Sequence, residues 1–86
     1  MKTIELTIKK NKATAYDRWD VKHGRKLKAS IYRKRDGADV GRYQIVVNGL
    51  AFYRDTLEGA KDFVIGNLEG FLDMVGFGAK VTIREK

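Results

Sequence analysis

The 86-residue chain contains no cysteine, which excludes a disulfide framework, a thiolate zinc site and cysteine nucleophiles. One histidine, His23, leaves no second imidazole for a histidine-based metal site. No apolar run approaches the roughly 20 residues that span a bilayer, and no signal-peptide core opens the chain. No membrane partner is therefore expected, and the cytoplasm is the expected location. Acidic residues are scarce in one part of the chain. Residues 1–54 carry 14 basic and five acidic side chains, whereas residues 55–86 carry four and six. The net charge of +7 is thus a +9 excess in the first part, slightly offset by the second. Such asymmetry points to a polyanionic partner more than an even excess does. A basic surface kept for solubility is the plainer explanation.

Catalytic inventories are equally thin. A nucleophilic Ser or Thr needs a neighbouring base, and His23 lies in a His-Gly-Arg-Lys loop. The carboxylate pairs Asp17/Asp20 and Asp36/Asp39 lie among Lys and Arg, which favours surface ion pairing over acid–base chemistry. Gly76-Phe77-Gly78 follows a helical pattern instead of preceding one and lacks a phosphate-loop fingerprint. The expectation is a non-enzymatic protein with no cofactor and no metal.

The apolar residues are ordered along the chain. Ile4, Leu6 and Ile8 alternate with polar neighbours over residues 1–10, the pattern of a half-buried strand. Asn11-Lys12 reads as a turn. Trp19 and Val21 share one register of a second strand (13–22), with Tyr16, Arg18 and Lys22 in the other. Leu27, Ala29 and Ile31 mark a third strand (27–35), closed by the Asp36-Gly37 turn signal. A fourth (40–47) and fifth (50–54) flank Asn48-Gly49, the pair favoured in two-residue type I′ hairpins. Leu57, Ala60, Val64, Leu68, Phe71, Leu72 and Val75 then fall on one helical stripe. Leu68 and Phe71 are expected to be buried there. Asp55 or Thr56 can cap this helix. Residues 80–84 close the chain as a strand.

One apolar helical stripe must cover one apolar sheet face. The expected architecture is a single α+β domain over residues 1–86, in the element order β-β-β-β-β-α-β. Its sheet is mostly antiparallel, of five or six strands, with one main helix over about 56–75 packed on one face. The other sheet face stays open.

On that open face the period-two pattern places Lys28, Tyr32 and Lys34 on one strand, Arg42 and Gln44 on the next and Tyr53 on the third. Arg33 and Arg35 end their strand, where the Asp36-Gly37 turn is expected to release them from the pleat toward the same surface. Lys and Arg neutralise phosphates, Arg and Gln read base edges, and Tyr stacks on unpaired bases. Trp19 reads as core, or as a stacking platform beside Arg18.

The stretch Ser30 to Val64, SIYRKRDGADVGRYQIVVNGLAFYRDTLEGAKDFV, resembles the three-stranded-sheet-plus-helix DNA-binding domains of phage and transposon integrases and of the AP2 type. The likeness rests on the basic strand ending in Asp-Gly, the GRYQIVVNG strand and turn, and the DTLEGAKDFV helix opening. It implies a sheet lying in a DNA major groove, with contacts from Arg33, Arg35, Arg42, Gln44 and Tyr53. The same pattern is also similar to small phage proteins. These suggest the competing reading, a module that binds and inhibits a host protein or ribonucleoprotein complex. Gly59, Gly66 and Gly70, opposite the apolar stripe and with Phe63 near them, would then admit a partner backbone, or a second copy in a homodimer.

Overall fold

A computed structural model describes residues 2–12, 16–34 and 41–86. The strands are β1 (Lys2–Lys12), β2 (Tyr16–His23), β3 (Lys26–Lys34), β4 (Tyr43–Val47), β5 (Leu50–Arg54) and β6 (Ala79–Glu85). The helix α1 (Leu57–Met74) lies between β5 and β6 in the chain. All six strands join one sheet in the order β5-β4-β3-β2-β1-β6. Neighbours are antiparallel except β1 and β6, which run parallel. Five strands follow one another as hairpins, so antiparallel pairing is automatic for them. The helix carries the chain from one edge of the sheet to the other, and that crossover makes the last pair parallel.

Local chemistry explains the junctions. Asn48 (φ 52°) and Gly49 (φ 78°) both occupy left-handed backbone, as a type I′ turn demands. The Thr56 hydroxyl accepts a hydrogen bond from the Gly59 N–H at 3.0 Å, which makes Thr56 the N-cap. Gly76 (φ 79°) reverses the chain after the helix, and the Phe77 N–H donates back to the Leu72 carbonyl at 2.8 Å. The turn expected at Asn11-Lys12 is not there. Both residues continue β1, pairing with Arg18 and Asp17, and the Asn11 side-chain amide donates to the Asp20 carboxylate across the ladder. That cross-strand bond removes the incentive for Asn11 to turn on its own backbone.

Register sorts the side chains. Ile4, Leu6 and Ile8 of β1 lie level with Val81, Ile83 and Glu85 of β6, and Ile8 faces Val21. Trp19, Ile31, Ile45 and Phe52 continue one row across β2 to β5. Ala60 and Val64 of α1 close over this inner face. The helix backbone comes nearest to β6 at one edge and to β4 and β5 at the other, so the sheet curls around it. A flat sheet would instead hold the helix off evenly across its width.

This curl corrects the helical stripe. Phe63 packs its ring on Phe52, centroids 4.6 Å apart, and Ile65 joins the core margin, so apolar cover extends beyond the stripe. On the β6 side Lys61 pairs with Glu85 at 3.0 Å, and the Glu69 carboxylate accepts the Val81 N–H at 2.9 Å. Phe71, expected in the core, is 54% exposed, and Leu68 is half-buried. The reason is length. Eighteen helical residues span about 27 Å and the five residues of β4 about 17 Å, so the last turns of α1 outrun β4 and stand across a groove from Lys26, Leu27 and Lys28 of β3.

Candidate nucleic-acid interface

The convex outer face carries alternate residues of every strand. One row runs Asn11, Arg18, Tyr32, Gln44, Tyr53 from β1 to β5. The next runs Lys9, Asp20, Ser30, Val46, Ala51. Lys22 and Thr7 are paired beyond it, and Thr7 is also level with Arg84 of β6. Ser30 is buried at the centre, and larger neighbours rise around it.

Within the first row, guanidinium groups lie on tyrosine rings. Arg18 stands 5.6 Å from the Tyr32 ring centroid, and Arg42 stands 5.2 Å from that of Tyr53. Tyr16 meets Tyr32 edge-on at 5.4 Å. These are favourable cation–π and T-shaped geometries, and they tie the rings to their neighbours on a polar face. Arg18 also donates from Nε to Asp20 at 2.8 Å. That hydrogen bond, followed by the Coulombic pull of the same carboxylate, raises the Arg18 pKa above its ordinary value. Its charge is fixed at every working pH. Tyr53 is 46% exposed and Tyr16 36%.

Tyr32, Arg42, Gln44 and Tyr53 thus come together as the alternation predicts. Lys28 is a correction: Val21 pairs with Ala29 and Lys22 with Leu27, so Lys28 falls in a bulge, leaves the outer alternation and borders a groove beside the C-terminal half of α1. Lys34 ends β3 opposite Tyr16. Arg35 lies outside the described residues.

Arg33 is a correction. It remains in the β3 pleat, level with Asp17 and Tyr43, on the inner side of the sheet. Its guanidinium stacks 5.7 Å from the Tyr43 ring centroid and donates to the Tyr43 hydroxyl at 3.4 Å. Strand pairing continues past the position at which the turn was expected to free it. Trp19 is core, tilted against Tyr43 at 5.7 Å with the Lys10 ammonium 5.5 Å away.

Arg18 and Tyr16 are the members of the cluster missing from the sequence-based site. Their shared register was visible in the alternation of β2. Nothing in that alternation says that β2 lies beside β3 with Arg18 opposite Tyr32.

The candidate protein interface divides as well. Gly66 and Gly70 are exposed, with open space where a Cβ would project. Gly59 is half-buried against Thr56, and Phe63 turns inward, between Phe52 and the Arg54 guanidinium at 4.8 Å. Phe63 is therefore not on the outer helix face.

Among the described residues no cluster of His, Asp and Glu has metal-binding geometry, and no helix is long and apolar enough to cross a membrane. No family model, curated protein or solved structure matches the chain.

Proposed function

We propose that the protein binds nucleic acid through the outer face of its sheet. The row of Arg18, Tyr32, Gln44 and Tyr53, with Arg42 stacked on its last ring, carries this reading. It combines positive charge, an amide and aromatic surface on a face that no described helix or strand covers. Lys9 and Lys22 extend the positive surface along β1 and β2. The acidic side chains Glu58, Asp62, Glu69 and Asp73 belong to the helix, behind the sheet. On the outer face Asp20 is paired with Arg18 and Glu5 with Arg84, so a polyanion approaching it meets chiefly the remaining cations Lys9, Lys22 and Arg42.

Fluorescence anisotropy of a labelled oligonucleotide across a salt series tests the proposal. With four to six phosphates neutralised, log affinity should fall against log salt with a slope of about −3 to −5. Absence of binding at 50 mM salt to both duplex and single strand would overturn it. The protein-partner reading would then stand, with Gly66 and Gly70 marking the exposed surface of the helix.

A further inference from the structure

We infer that the ligand of the outer face is an unpaired strand, with bases stacked on Tyr32 and Tyr53; this rests on the nucleic-acid reading above. Phosphate binding alone does not call for aromatic rings on a sheet face that no described element covers. Here Tyr53 is 46% exposed and Tyr16 36%, and the half-buried Tyr32 meets Tyr16 edge-on. Tyr32 on β3 and Tyr53 on β5 are separated by one intervening strand, so their backbones lie about 10 Å apart. Gln44 occupies the position between them, where its amide can donate to and accept from a base edge. Each of the two rings has its own arginine, Arg18 for Tyr32 and Arg42 for Tyr53. Each guanidinium covers one face of its ring, so a base stacking on the other face, or displacing the guanidinium, would have a cation within reach of its phosphate.

A duplex fits this surface poorly. The major groove is about 12 Å wide and admits a helix or a two-stranded ribbon. The row from Asn11 to Tyr53 crosses five strands, about 19 Å measured along the sheet, which is wider than a two-stranded ribbon. Single-stranded DNA and RNA share the unpaired base and the phosphate that the surface addresses, so both belong in the test.

The test titrates the protein into labelled oligothymidylate and oligouridylate 20-mers and a 20-base-pair duplex at fixed salt, followed by anisotropy. At least one single strand should bind about tenfold or more tighter than the duplex. Tyr53→Ala should weaken that binding about 5- to 100-fold, Tyr53→Phe should retain it, and neither should change duplex affinity. Tyr32→Ala should act alike, with circular dichroism showing that each variant is folded. Tyr53 is the safer site because its ring already faces solvent. Duplex affinity equal to that of both single strands, or a Tyr53→Ala variant that binds them undiminished, would overturn the inference while leaving nucleic-acid binding intact. Failure of all three probes to bind would instead remove the reading beneath it.

Discussion

At the scale of single residues, burial and hydrogen bonding separate side chains that the sequence makes look alike. Ile45 is wholly buried and Phe71 is half in solvent, though each is an apolar residue at an apolar position of its own pattern. Ile45→Ala should cost about 2–5 kcal/mol, whereas Phe71→Ala should cost less than about 1 kcal/mol, because truncating an exposed ring leaves no cavity. Urea denaturation of the two variants measures the contrast. Glu69 shows the opposite surprise. It has the look of a solvated helix carboxylate, yet it accepts the N–H of Val81 on the edge strand β6. Glu69→Ala should cost about 1–3 kcal/mol, since it orphans a partly buried donor. It should also expose one edge N–H to strand pairing, so that light scattering rises with concentration. A variant as stable and as monodisperse as wild type would show that water replaces the carboxylate without loss.

Elements behave as their ends and flanks dictate. Gly66 lies in the helix interior with nothing within 4 Å of the place an added methyl would take, so Gly66→Ala should gain about 0.5–1 kcal/mol, read as a higher denaturation midpoint. Gly59 differs. Its Cβ would come within 3.1 Å of the capping Thr56 hydroxyl, so the same substitution there sets helix propensity against the cap. Lys61 ties α1 to β6. Its hydrogen bond to Glu85 is the main cause of a raised pKa, opposed by burial and aided by Glu58. A cation whose folded pKa lies above its unfolded value stabilises fully below the unfolded value, about 10.4 for lysine, and loses that stabilisation as pH rises through the folded one. The stability difference between wild type and Lys61→Met should therefore be flat from neutral pH to about 10 and change above it. With both carboxylates exposed, it should stay below about 1 kcal/mol. A difference that changed most between pH 6 and 8 would point to another group.

At the scale of the whole molecule, the sheet divides its cations between two sides, and function should follow that division. Arg42 is on the outer face beside Tyr53, and Arg33 is on the inner side against Tyr43. Arg42→Ala should flatten the salt dependence of nucleic-acid binding by about one unit, and Arg33→Ala should leave it unchanged. Equal effects would mean that the strand ends, and not one face, make the contact. Much of this organisation is local. Alternation set the inner residues Leu6, Ile31 and Ile45, Asn48-Gly49 set its hairpin and Thr56 set the helix start, because each depends on side-chain spacing or on a few φ/ψ angles. The charge asymmetry and the shared register of Tyr32, Gln44 and Tyr53 are equally legible along the chain, whereas the bulge that removes Lys28 from that register is not. Packing between distant segments fixed that β6 pairs with β1, that Arg18 stands over Tyr32, that Arg33 turns inward, and that Phe63 is partly buried while Phe71 is exposed. Those outcomes depend on which strands become neighbours, how far the helix outruns them and how strongly the sheet curls. Such distances between residues remote in sequence are carried by no local pattern.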